Sequence, residues 1–86
     1  MKTTELLEEM VRFNEEKYGD RINEVILDYN TWYSLFEEVR QTLNFTHMNN
    51  CSHHIVIQFT KIDHPVTFLR SNKRGFVIEM IPELFN

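Results

Sequence analysis

Between Ile55 and Ile81 the chain reads IVIQFTKIDHPVTFLRSNKRGFVIEMI, and apolar and polar side chains alternate over much of that length. Ile55, Ile57 and Phe59 fall on one side of an extended backbone and Val56, Gln58 and Thr60 on the other, the period of two that a half-buried strand requires. Asp63-His64-Pro65 interrupts the run, because proline fixes its own φ and drives His64 out of the helical region. A second strand opens at Pro65, with Val66 and Phe68 opposite Thr67 and Leu69, and a proline in first position removes no interior ladder bond. Ser71-Asn72-Lys73-Arg74-Gly75 is polar, ends in glycine and reads as a hairpin loop into a third strand, where Phe76, Ile78 and Met80 lie opposite Val77, Glu79 and Ile81. Pro82 ends that strand. Three strands with one apolar face cannot stand in water, so the rest of the chain must supply a covering layer.

Residues before the strands have the pattern to do so. Thr3 or Thr4 is placed to cap a helix over Thr4–Tyr18, with Glu5, Glu8 and Glu9 at its positive end, an apolar stripe of Leu7, Met10, Val11 and Tyr18 flanked by Leu6 and Phe13, and Gly19 at the left-handed cap position. Glu8 precedes Arg12 by one turn, a favourable pair. Ile22–Leu27 is short, β-branched and apolar, and its unbroken Val25-Ile26-Leu27 predicts a strand in a central place. Asn30 or Thr31 then caps a second helix whose Trp32, Leu35, Phe36, Val39 and Leu43 share one face, leaving Glu37, Glu38, Arg40 and Gln41 as a solvated surface. Trp32 and Tyr33 cannot both point inward, so one of them is expected to be partly exposed. Asn44–Ser52 is a polar connection, the longest in the chain.

The expected architecture is a single α+β domain over residues 1–86: a two-layer sandwich in the order helix, strand, helix, strand, strand, strand, with a four-stranded, mostly antiparallel sheet and both helices on one face. The strands before and after the second helix, if parallel, take a right-handed crossover. Ile26, Leu35, Val39, Ile57, Phe68 and Ile78 are the expected core.

No apolar run approaches the roughly 18 residues of a membrane span, and the acidic amino terminus lacks the build of a secretory signal, so a cytoplasmic protein with no membrane partner is expected. The single cysteine, Cys51, cannot form an internal disulfide and fits a reducing compartment. Charge is unevenly spread. Residues 1–38 carry ten acidic and four basic side chains, and residues 39–86 carry three acidic and five basic, within a net charge of -4. Such a layout favours partners that read one face.

Three groups of residues bear on chemistry. His47, Cys51 and His53 bring imidazole and thiolate ligands at a spacing that resembles part of a zinc finger, while the adjacent His54 must point to the opposite face of its strand and His64 lies on a distant turn. The same cysteine with a histidine base is the only candidate nucleophile, and no third orienting residue accompanies it. Arg70, Lys73 and Arg74, carried between Phe68 and Phe76, form a basic hairpin suited to phosphate contact, or simply a charged turn that discourages edge pairing. There is no glycine-rich phosphate loop and no recognisable triad order. No cofactor is expected.

The segments INEVILDYNTWYSLFEEVRQ, KIDHPVTFLRS and GFVIEM, spanning about residues 22 to 80, resemble the strand, capped helix and Pro-Val strand order of small tailed-phage proteins and of one segment of the tailed-phage major capsid fold. The glycine before Pro65, the long spine helix and the extended loop of the capsid pattern are missing. What the resemblance implies is therefore a phage-encoded accessory protein in the host cytoplasm, acting by contact with another protein. The residues point the same way, to a non-enzymatic interaction module: catalytic signatures are lacking, and 11 side chains are Phe, Trp or Tyr in so short a chain. Val77 and Ile81 on the outer strand, Leu84 and Phe85 in the tail, and Tyr33 are the expected contact residues, for a protein partner or for self-association. A nucleic-acid binder using residues 70–74 is the alternative, and a metal-binding or thiol enzyme using the His47–His54 loop the second.

Overall fold

The helical stripes and the alternating strands close on each other as two layers. The protein's structure is a computed structural model that describes residues 2–42 and 54–83. Its elements are α1 (Thr3–Tyr18), β1 (Ile22–Leu27), α2 (Tyr29–Thr42), β2 (His54–Ile57), β3 (Val66–Arg70) and β4 (Ile78–Pro82), an α+β fold. The core joins Leu7 and Val11 of α1 and Trp32, Leu35 and Val39 of α2 to Val25, Leu27, Ile55, Ile57, Val66 and Phe68 of the sheet. Both helices therefore lie on one face. Phe59 meets Phe68 edge to face at 5.8 Å, continuing the buried row that starts at Ile55 beyond the end of β2. The Trp32 indole donates to the Phe68 carbonyl at 3.2 Å, so the largest side chain in the core brings no unpaired N–H with it.

The strand order β2-β3-β1-β4 corrects the expected meander. β2 and β3 pair antiparallel as a hairpin, but β4 pairs antiparallel with β1, and β1 pairs parallel with β3. Residues 71–77 are thus no hairpin loop; they carry the chain across the carboxyl end of β1 to its other side. The parallel partner of β1 is likewise β3, not the strand that directly follows α2. β1 does occupy a central place, for a reason other than the one its sequence suggests. Both its edges are paired, while only alternate side chains are buried: Ile26 lies in the row His54, Leu69, Ile26, Glu79 on the face away from the helices, half-buried and outside the core. Ile78 and Met80 face the helices and are partly buried, whereas Phe76, expected with them, precedes the strand and is exposed.

Helix ends depart from the local expectations through contacts made in the folded state. Gly19 takes the left-handed cap conformation at φ 66 and its N–H bonds the Glu15 carbonyl, as the glycine position predicts. The start of α1 has Lys2 at the cap position with no capping side chain of its own. Glu38, expected on a solvated surface, instead accepts from Thr3 N–H at 2.7 Å and from Thr4 N–H and Oγ1 at 3.0 and 3.1 Å. Helix α2 begins earlier than Asn30 or Thr31 would allow, because Asp28 caps it. The expected Glu8–Arg12 pair is replaced by Arg12 on Glu9 at 3.1 Å, while Glu8 accepts from Lys61 N–H at 3.0 Å. Tyr18, expected in the buried stripe, is exposed. His64 is buried on the 58–65 turn, with Nε2 on Glu15 and Nδ1 on the Pro65 carbonyl, and Glu15 also accepts from Ile22 N–H, tying the turn to the end of α1 and the start of β1.

Candidate functional site

Among the described residues two surfaces combine a depression with side chains suited to binding. The first follows the free edge of β4. Alternation turns Ile78, Met80 and Pro82 toward the helix layer, and the 3.6-residue period brings Met10, Asn14 and Tyr18 of α1 alongside them. Together with Ile22 these residues line a groove of about 550 Å³. A second depression of about 270 Å³ meets it at Ile78 and runs between the starts of the two helices, lined by Leu6, Leu7 and Phe76 on one side and by Asn30, Thr31 and Ser34 of α2 on the other. Tyr18 in the groove is 59% exposed, Leu6 and Phe76 in the second depression are 45% and 78% exposed, and Phe13, one turn from Met10 on α1, is 65% exposed. Among the described residues β4 ends the sheet on this side, with β1 as its only neighbour.

The contact residues expected from the sequence are divided by the fold. Ile81 sits opposite Glu24 on the sheet face away from the helices, and by alternation Val77 shares that side; both are half-buried. Tyr33 is exposed on α2, in the other layer. Leu84 and Phe85 lie outside the described residues. Leu6, Phe13, Tyr18 and Phe76 were missed as a surface. The signal was present for two of them, since Leu6 and Phe13 flank the buried stripe of α1 on the side that β4 leaves open.

The second surface lies at the carboxyl ends of the parallel strands β1 and β3. Leu27 and Arg70 are register partners there, the Ser71 N–H donates to the Leu27 carbonyl at 2.7 Å, and the chain leaves β1 directly into α2. A cleft of about 450 Å³ opens between the first turn of α2 and residues 70–75, lined by Tyr29 and Asn30 on one side and by Arg70, Lys73 and Arg74 on the other. The Arg70 guanidinium lies 5.4 Å from the Tyr29 ring and 5.8 Å from the Trp32 ring. The bend that brings Lys73 and Arg74 to the cleft ends at Gly75, whose φ of 90 disfavours any residue with a Cβ.

Asp28 forms the floor of this cleft and is buried. Its Oδ2 accepts from Thr31 N–H at 3.1 Å, and its Oδ1 from Thr31 Oγ1 at 2.7 Å and Val77 N–H at 3.2 Å. Its own N–H bonds the Val77 carbonyl at 2.9 Å. Burial pushes this carboxyl up, and the donors from Thr31 and Val77 outweigh it, so it stays below the ordinary carboxylate value. Glu38 behaves in the same way: burial raises it, and the Thr3 and Thr4 donors bring it below the usual range.

The candidate metal ligands and nucleophile, His47, Cys51 and His53, lie outside the described residues. Among the described residues no helix is long and apolar enough to cross a membrane. Comparison with protein-family models, curated proteins and solved structures returns no match to this chain.

Proposed function

We propose that the chain is a non-enzymatic protein-interaction module that takes an extended segment of a partner along the free edge of β4. The observation that carries this reading is the coincidence of an end strand, among the described residues, with exposed large apolar side chains in and beside its groove, Tyr18, Leu6, Phe76 and Phe13. An added strand satisfies the backbone groups of an open edge, and its alternate side chains fall into the neighbouring apolar groove. Charge selects the occupant. The outer side of α1 carries Glu5 and Glu16, Glu9 being paired with Arg12 and Lys61, and the edge strand carries Glu79, so the fitting segment alternates apolar residues with lysine or arginine. A second copy would set one acidic α1 against another, which disfavours self-association across this edge. The resemblance of residues 22 to 80 to small tailed-phage proteins supports the same kind of role, a phage-encoded accessory protein that acts by contact.

The test uses synthetic peptides in which valine or isoleucine alternates with lysine, read by fluorescence anisotropy, beside a set with glutamate in place of lysine. The lysine set is expected to bind a monomeric protein, the glutamate set to fail, and Phe13→Glu with Phe76→Glu to abolish binding without altering the circular dichroism spectrum. Equal binding of both sets, indifference to the two substitutions, or concentration-dependent dimerisation lost on those substitutions would each overturn the reading.

A further inference from the structure

The cleft at the carboxyl ends of β1 and β3 plays no part in docking along β4, and its chemistry is of another kind. We infer that it is a binding site for single-stranded nucleic acid, with backbone phosphates on Arg70, Lys73 and Arg74 and a base against the exposed rings of Tyr29 and Tyr33.

Charge comes first. Three of the five cations in residues 39–86 fall between positions 70 and 74, and all three line one cleft. The carboxylate beneath them, Asp28, is buried and held by donors from Thr31 and Val77, and as one negative charge against three positive ones it leaves the cleft lining net positive. It also sits at the start of α2 and takes up the positive end of that helix. The site therefore rests on the side chains and not on the helix terminus. A net charge of -4 excludes general adhesion to polyanions, which makes a local cluster of cations more informative than it would be on a basic protein.

The second element is aromatic. Tyr29 is 53% exposed and Tyr33 47%, one turn apart on α2, with nearly parallel rings 6.0 Å between centroids. Arg70 lies over Tyr29 and Trp32, which orients a planar guanidinium beside the ring surface. Tyr33 also stacks on Phe36 at 6.1 Å, so Phe36, Tyr33 and Tyr29 form one row of rings whose exposed side lies beside the cations. Single-strand binding combines two such parts: cations that follow the backbone, and aromatic rings against which an unpaired base packs. Paired bases offer no free face, and a seven-residue connection, 71–77, projects neither a helix nor a two-stranded ribbon into a major groove, so duplex is not the ligand. Cations spread along residues 70–74 match successive phosphates better than the single phosphate of a mononucleotide.

The experiment is fluorescence anisotropy with labelled oligothymidine and oligouridine of about 12 nucleotides, a length within single-strand site sizes, at low and moderate salt. Unlabelled duplex, thymidine monophosphate and inorganic tripolyphosphate serve as competitors. Oligonucleotide binding is expected, with log affinity falling against log salt at a slope of about 0.7 for each phosphate engaged. Lys73→Ala with Arg74→Ala, both exposed and in a loop, should weaken binding about tenfold or more and lower that slope by about 1.4. Tyr33→Ala should weaken binding about tenfold and leave the slope unchanged. Lack of oligonucleotide binding at low salt overturns the inference, as do equal competition by duplex, full competition by tripolyphosphate or the mononucleotide at matched charge, or indifference to the Lys73 and Arg74 substitutions. The β4-edge peptide assay reads a separate surface, so either result stands without the other.

Discussion

Replacing Asp28 by alanine should destabilise the domain well beyond an ordinary polar substitution, because one carboxylate serves two jobs. It caps α2 through Thr31, and it anchors the approach to β4 through Val77 N–H, which is paired back by the Asp28 N–H to the Val77 carbonyl. Loss of an N-cap costs about 1 kcal/mol. Leaving a partly buried backbone N–H without an acceptor costs about 1–3 kcal/mol. Their sum is about 2–4 kcal/mol, drawn toward the lower end because the substitution also removes a charge held out of water. For a domain of this size that lowers the melting temperature by on the order of 10–25 °C. Asp28→Asn keeps one acceptor oxygen and should cost about 1 kcal/mol.

The pH dependence supplies a sign that can fail. A carboxyl held below its unfolded value of about 3.8 contributes its full stability above that value and loses it as pH falls through the lower folded value. Urea denaturation of wild type and Asp28→Ala should therefore show a constant gap from neutral pH down to the ordinary carboxylate range, narrowing only below it. A gap under about 0.5 kcal/mol at neutral pH would refute the accounting, since that is the scale of an unremarkable surface change. A gap that closes already between about pH 7 and pH 5 would refute the assignment of the effect to this carboxyl.

Glu38→Ala removes the acceptor for three donors in the first turn of α1 and should cost about 1–2 kcal/mol, again vanishing only below the ordinary carboxylate range. Amide hydrogen exchange should accelerate at the start of α1 in that variant; equal exchange in both proteins would show that Lys2 and water suffice. Leu35→Ala and Ile57→Ala should each cost about 2–5 kcal/mol, with Leu35 the larger because it is fully buried while Ile57 retains some exposure at the sheet edge. Neutral results for both in chemical denaturation would contradict the core described above.

The parts of the fold legible in the sequence are those that depend on residues close along the chain. Ile55, Ile57 and Phe59 announce a buried row by their spacing alone, Leu35 and Val39 announce the inner side of α2, and Gly19 marks where α1 must stop. What could not be read depends on partners far away. Nothing near β1 says that β3 and β4 flank it, because the alternation of 66–70 and 76–81 fits a hairpin equally well and a five-residue polar link suits either path. Glu38 looks like any exposed glutamate until folding brings Thr3 and Thr4 beneath it. The surfaces show the same division. Arg70, Lys73 and Arg74 were visible as a basic cluster, but Tyr29 and Tyr33 join them only because the parallel pairing of β1 and β3 sets the start of α2 beside residue 70.

That pairing also governs when the molecule can become a protein at all. β1 is laid down early in synthesis, yet both strands that flank it come after residue 65. Until β3 and β4 have emerged, β1 is an apolar segment with two bare edges, and the helices have no sheet to cover. Pairings this distant make for slow folding and for a nascent chain open to misassociation. The amino-terminal half is thus not a folding unit waiting for decoration. It is a set of parts whose template arrives last, and shortening the chain by β4 alone would turn a paired central strand into an exposed edge.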